Sequence, residues 1–221
     1  YIFPKPLIEI DNKPMIQWVI ESLNLEGNFI FIVQKEHQEK YNINSVLKIL
    51  KPNCKIIELD HITEGAACTT LLAKKFINTS NPLIIANSDQ YIKWDSIKSM
   101  YNYNQKKIDG SILTFEAIHP KWSYAKTDKN NFVTEVAEKK VISKNATVGV
   151  YYWKKGSDYV NCAETMIKKN IRVNNEFYVC PVYNEAIGEG KKIVIDKVSE
   201  MHGLGTPDDL KNFITKKNLT N

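Results

Sequence analysis

Three short apolar runs stand out in the first part of the chain: NFIFIVQ at 28–34, KIIEL at 55–59 and PLIIANSD at 82–89. They are short and bounded by polar residues, and each predicts a buried strand. Between and after them the apolar positions recur at helical spacing. EHQEKYNINSVLKIL reads as one helix with Tyr41, Val46, Ile49 and Leu50 inward, and GAACTTLLAKKFI (65–77) as a second. WDSIKSMYNYNQKK reads as a third, with Asp95 as its N-cap. This βαβαβα order predicts a parallel sheet with helices on both faces.

The period then changes. GSILTFEA (110–117), SYAKTD (123–128), FVTEVAE (132–138) and ATVGVYYW (146–153) predict consecutive strands, with DKNN as the turn between the second and third. Helical stretches follow around 156–169 and 177–188, then the strand KIVID and a last helix from Thr206. In that helix Thr206 can cap, Pro207 suits the first position, and Asp208 and Asp209 favour the positive end of the dipole. No linker, repeat or low-complexity tract interrupts the pattern. The expectation is a single α/β domain over 1–221, a mixed, mainly parallel sheet flanked by helices with an antiparallel extension.

Composition adds exclusions. Of the 221 residues 43% are hydrophobic and 25% charged, ordinary for a globular protein. No apolar run approaches the roughly 18 residues of a membrane span. The formal charge of +5 is dispersed, and KNNFVTEVAEKK mixes Lys with Glu. A nucleic-acid stripe is therefore not visible, whereas a solvated surface or a basic pocket for a phosphorylated small molecule fits. Cys54, Cys68, Cys162 and Cys180 form no C-x-x-C and sit in apolar stretches, as structural thiols of a reducing, cytoplasmic compartment do. His37, His61, His119 and His202 share no metal-ligand spacing, which argues against zinc.

In open parallel sheets ligands bind at the carboxyl ends of the strands. Asp89 follows the strand at 82–88, where a carboxylate can hold Mg²⁺ or simply cap a turn. Gly65, Ala66 and Ala67 follow the strand at 55–59. Small residues there let a ligand approach the backbone, or let a helix pack closely on the sheet. Glu138 and Lys139 leave the strand at 132–138 together. They suit a hydroxyl and a phosphate, or a surface ion pair.

The order PKPLIEIDNKPMIQWVIESL, TEGAA, IIANSDQ, EVAEKK, NNEFY and GLGTPDDL resembles the sugar-phosphate nucleotidyltransferase family, whose fold is GT-A-like and Rossmann-related. The resemblance runs from Lys5 to Leu210 and is greatest to small bacterial enzymes of capsule or surface-polysaccharide synthesis, some of which transfer a cytidylyl group. Members of that family carry a strand and a glycine-rich loop before the PKPL segment. Roughly 15–20 further residues are accordingly expected upstream of Tyr1.

The resemblance implies in-line attack of an acceptor phosphate on the α-phosphorus of an NTP, with CTP among the donors and pyrophosphate as leaving group. The chemistry asks for positioning and charge neutralisation more than for a nucleophilic side chain. By motif, Lys5 would stabilise the transferring phosphoryl group and Asp89 would bind Mg²⁺ or Mn²⁺. Glu64, Gly65, Ala66 and Ser88 would contact the nucleotide, Lys139 the acceptor phosphate, and Glu138 and Glu176 the acceptor's polar groups. The implied partners are an NTP and a phosphorylated small molecule, without nucleic acid or membrane, in a chain free to form homo-oligomers. One departure stands out: Gly203 occupies the place of a second acidic metal ligand, leaving His202 or Glu176 as substitutes. Two other classes compete. A glycosyltransferase of related fold would show Asp-x-Asp where this chain has Ser88-Asp89-Gln90-Tyr91, and a non-catalytic nucleotide-binding module would tolerate Gly203.

Overall fold

A computed structural model describes residues 3–220. In chain order the elements are β1 (Glu9–Ile10), β2 (Lys13–Pro14), α1 (Met15–Leu23), β3 (Ile30–Gln34), α2 (Lys35–Tyr41), α3 (Ile43–Leu50) and β4 (Lys55–Leu59). Next come α4 (Ala66–Leu71), α5 (Lys74–Ile77), β5 (Leu83–Ala86), β6 (Gln90–Lys93), α6 (Ser96–Lys106) and β7 (Gly110–Glu116). The chain continues through β8 (Tyr124–Thr127), β9 (Val133–Ala137), β10 (Asn145–Trp153), α7 (Gly156–Lys168), α8 (Val182–Gly188), β11 (Ile193–Lys197), β12 (Glu200–Gly203) and α9 (Pro207–Thr220). The fold is mixed α/β, and it divides into two compact units.

The first unit takes in Tyr1–Asp60, Asn87–Lys98 and Val198–Asn221. Asp11 and Asn12 both have positive φ, 51° and 62°, which closes β1 on β2 in a tight two-residue turn of the primed kind. Met15, Ile16, Val19, Ile20 and Leu23 form the buried stripe of α1, which ends at Asn24 in the left-handed region. β3 and β4 pair in parallel, and β6 and β12 antiparallel. Trp18 donates to the Ile10 carbonyl at 2.8 Å and meets Phe213 of α9 edge-on.

The second unit takes in His61–Ala86 and Ser99–Lys197. Its six-stranded sheet runs β11-β7-β10-β8-β9, with β5 also beside β10. Only β11 and β7 are parallel in it. β10 is the centre. Its register against β7 shifts between Thr147 and Tyr151, at a bulge that contains Gly149 with φ 73°. Trp153, fully buried, stacks on Tyr183 of α8 with centroids 4.3 Å apart. The Tyr183 hydroxyl donates to the Tyr152 carbonyl at 2.8 Å, so the ring is fixed to the strand it covers.

Four expectations are corrected. The helix expected over 36–50 is two helices, because Asn42 turns left-handed at φ 50° and rephases the apolar stripe. Ile43 and Leu47 are buried, and Ile49 is 79% exposed. The helix expected over 65–77 breaks after Leu71, where Thr70 bonds back to the Ala66 carbonyl. The helix expected from 177 starts at Val182, because Pro181 has no N–H to return to the Phe177 carbonyl, which accepts from the Ala67 amide instead. β5 runs antiparallel to β10 and does not extend a parallel series. The pattern as read above also does not anticipate α1, β1, β2, β6 or β12. The caps hold: Asp95 accepts from the Lys98 amide at 3.0 Å and Thr206 from the Asp209 amide at 3.2 Å. The turn at Asp128 accepts from the Asn130 and Phe132 amides.

Candidate active-site residues

In the first unit three motifs converge. Pro4 and Pro6 restrict the backbone around Lys5, which opens one 3₁₀ turn closed by Leu7 N–H to the Pro4 carbonyl at 2.9 Å. Asp89 lies between β5 and β6, and its carbonyl accepts from the Leu204 amide at 2.8 Å. Lys5 Nζ stands 3.7 Å from Asp89 Oδ2, with the side chains 55% and 34% exposed. This is an ion pair beyond hydrogen-bond length. Gly205 makes the approach feasible, because a Cβ there would stand 2.8 Å from the same Oδ2. Ser88 is exposed next to Asp89.

Around the missing acidic ligand the geometry is clear. A Cβ at Gly203 would meet the Asp209 carboxyl carbon at 3.2 Å, but that carboxylate accepts the Thr206 hydroxyl at 2.7 Å as part of the α9 cap. The His202 ring lies beside Tyr91 and Phe213, with Nε2 3.6 Å from Glu200. Among the described residues no group of three His, Cys, Asp or Glu gathers as a metal cage. Asp89 offers a hard carboxylate with no side-chain hydrogen-bond partner among the described residues. That fits a small divalent cation of the Mg²⁺ or Mn²⁺ kind, which keeps water and phosphate oxygens around one or two carboxylates.

In the second unit the segment 172–178 is the hub. Val173 and Glu176 exchange two backbone hydrogen bonds of 3.0 Å across Asn174 and Asn175, both left-handed at φ 48° and 64°. Phe177 then bonds the Glu64–Ala67 turn at both ends. Its amide donates to the Glu64 carbonyl at 2.8 Å, and its carbonyl accepts from the Ala67 amide at 2.9 Å. Gly65, at φ 129°, is the point of contact, since a Cβ there would fall 2.5 Å from the Phe177 oxygen. The Ala67 N–H is therefore engaged within the protein. The Glu64 carboxylate pairs with Arg172.

Glu138 and Lys139 follow the edge strand β9, whose outer backbone groups at Val136 are taken by the Asn184 side-chain amide at 2.9 Å each. The two residues do not pair with each other. Glu138 accepts the Ser123 hydroxyl. Burial pushes its carboxyl above the usual range and the nearby Glu176 charge adds to this, against the lowering effects of Ser123 and Lys139. Lys139, left-handed at φ 53°, donates to the Tyr178 hydroxyl at 2.7 Å and lies 4.8 Å from that ring's centre. This hydrogen bond holds its amine above the ordinary value. Glu176 itself is exposed.

The residues singled out in the sequence thus form two groups. Lys5, Ser88 and Asp89 belong to the first unit; Glu64, Gly65, Ala66, Glu138, Lys139 and Glu176 belong to the second, around 172–178. Sequence reasoning missed Ser123, Arg172 and Tyr178. For Arg172 a signal exists: it is the single arginine among 30 Lys and Arg.

The cysteines are free, with Cys162 and Cys180 buried and their thiols pushed up by burial, Cys162 to about 12. Among the described residues no helix is long and apolar enough to cross a membrane.

The sequence model of the nucleotidyl transferase family matches residues 2–210. No curated protein matches the chain. A nucleoside-diphosphate-sugar pyrophosphorylase from Vibrio cholerae RC9 is similar over 97% of this chain and 93% of its own, at TM-score 0.81 and 22% identity. A putative glucose-1-phosphate thymidylyltransferase from Bacillus anthracis, solved with a sucrose, is similar over 97% and 87%, at TM-score 0.76 and 16% identity. A UDP-glucose pyrophosphorylase complexed with UDP-glucose is similar over 99% and 91%, at TM-score 0.76 and 15% identity. At these identities the likeness is one of fold.

Proposed function

We propose that this chain, which belongs to the nucleotidyl transferase family, transfers a nucleotidyl group from an NTP to a phosphorylated small-molecule acceptor and releases pyrophosphate. The observation that carries the reading is the Lys5–Asp89 pair at 3.7 Å, with bare Gly205 backbone against it. A cation and a carboxylate kept close but not hydrogen-bonded suit a site completed by phosphate oxygens. An acceptor phosphate oxygen attacks the α-phosphorus in line, and pyrophosphate departs on the opposite side. Lys5 neutralises charge on the transferring group. Asp89 would hold Mg²⁺, which when bound supplies further charge neutralisation on the phosphates. The Glu64–Ala66 turn and Ser88 contact the nucleotide. Lys139 takes the acceptor phosphate, and Glu138 and Glu176 accept hydrogen bonds from its polar groups.

The resemblance to small surface-polysaccharide enzymes makes CTP the donor to test first, and a sugar phosphate or similar metabolite the acceptor. In this reading both units form one cytoplasmic nucleotidyltransferase domain. The glycosyltransferase alternative is disfavoured by Tyr91, whose ring lies against Trp18, His202 and Phe213 where a second carboxylate would be needed. The test is to incubate the protein with each of four NTPs, Mg²⁺ and a panel of phosphorylated acceptors while following pyrophosphate. Release that requires both substrates supports the proposal. Consumption of a finished sugar nucleotide with no pyrophosphate from any NTP refutes it.

A further inference from the structure

Arg172 has more partners than any substrate reading asks of it. Its Nε donates to Asn170 Oδ1 at 2.6 Å, Nη1 to the Asn175 carbonyl at 3.0 Å, and Nη2 to the Glu64 carboxylate. The guanidinium carbon lies 3.9 Å from the centre of the Phe177 ring. These contacts tie a left-handed Asn at the end of α7, the Asn174–Asn175 turn, the Glu64–Ala66 turn and the hub residue Phe177 to one rigid plane. A chain that uses lysine at every other basic position has an arginine here. Lysine presents three donors from one point and cannot fork between partners on different segments, whereas guanidinium presents five in a plane and can lie on a ring face.

We propose that Arg172 is a positioning residue that fixes the nucleotide-contacting turn Glu64–Ala66 and the acceptor-contacting Glu176 relative to each other. The Glu64 carboxylate is committed to this brace, so Glu64 serves the nucleotide through its backbone and the shape of its turn. Phe177 is the physical link, since one side of it carries both backbone hydrogen bonds to the turn and its chain neighbour is Glu176. Arg172 then affects donor and acceptor binding together. A residue touching one substrate would affect that substrate alone. The inference rests on the assignment of these two segments under the proposed function.

The experiment pairs hydrogen exchange with kinetics, so that the two readings fail separately. Peptides covering 62–70 and 172–180 are compared in wild type, Arg172→Lys, Arg172→Met and Glu64→Gln. Faster exchange is expected in both segments and not elsewhere. With the substrates found in the screen, the KM values for NTP and acceptor should rise together by about tenfold, with kcat changed far less. Glu64→Gln should reproduce part of this, and add little to Arg172→Met in the double variant. If Arg172→Met loosens the whole unit, Arg172→Lys decides, because it keeps charge and stem. Unchanged exchange in both segments with Arg172→Lys overturns the brace. So does a loss confined to one KM. A wild type that releases no pyrophosphate defeats the proposed function, while the exchange result still decides the brace.

Discussion

Lys5 with Asp89 and Glu138 with Lys139 look alike in sequence, each a lysine and a carboxylate, but the structure treats them differently. In the first pair the charges face each other at 3.7 Å, partly exposed, with bare glycine backbone beside them. In the second the partners are separated and each is given a neutral hydroxyl, Ser123 for Glu138 and Tyr178 for Lys139. A pair left wet and short of hydrogen-bond contact can be re-formed around phosphate and cation at little cost. Groups tethered to hydroxyls keep their direction and offer their remaining capacity to an incoming ligand. Under the proposed function the contrast suits a highly charged phosphoryl centre on one hand and oriented contacts to a small acceptor on the other.

The contrast is broken most strongly at Asp89. Asp89→Ala should lower kcat by about 100-fold or more, with the melting temperature little changed because the side chain is 34% exposed and its ion-pair partner is the exposed Lys5. Near-normal turnover with Mg²⁺ present would show that the carboxylate does not serve the reacting phosphates. Gly205→Ala should follow with a loss of about tenfold or more, because the new methyl would press on Asp89 Oδ2 from 2.8 Å and displace it from Lys5. A crystal structure with Asp89 unmoved and full activity would contradict that steric argument.

Lys139→Ala should raise the acceptor KM by about tenfold and leave the NTP KM near its wild-type value, while Lys5→Ala should act chiefly on kcat. Identical kinetic profiles for the two variants would erase the division drawn above. The smallest effect concerns pH. The Glu138 carboxyl is raised by burial, so between the ordinary glutamate value and its own the folded protein holds more protons than the unfolded chain. Stability contributed by this group is therefore greatest in acid and falls as pH rises through that window. Glu138→Gln should flatten this fall in melting temperature measured from pH 4 to pH 8, and a slope identical to wild type would rule the group out as its source.

The sequence carried the run of strands β7 to β10 in the second unit. Short strand-like runs and the DKNN turn were sufficient for β7 to β10, and in the first unit Thr206-Pro207 for the start of α9, because those signals are local. What it did not carry was set by distant partners. β5 takes its direction from β10, which is buried on both faces and offers an edge to it. The stretch 177–181 stays out of α8, with the Phe177 amide and carbonyl both bonded to the Glu64–Ala67 turn. β6 and β12 are four residues each and exist only as a pair. The same holds for the site. Lys5, Asp89, Gly65 and Lys139 stood out through motif order, whereas Ser123 and Tyr178 matter only through what they hold, and spacing along a chain does not reveal that.

The solitary arginine also gives the chemist an address. Reagents that attack amines would modify lysines across the whole surface, but a dicarbonyl selective for guanidinium has one target in these 221 residues. Arg172 already shares its nitrogens with Glu64, Asn170 and Asn175, so adduct formation must wait until those contacts open. The labelling rate, followed by mass change on a single peptide, therefore becomes a clock for the breathing of the 64–66 and 174–176 turns, and any small molecule that settles there should slow it.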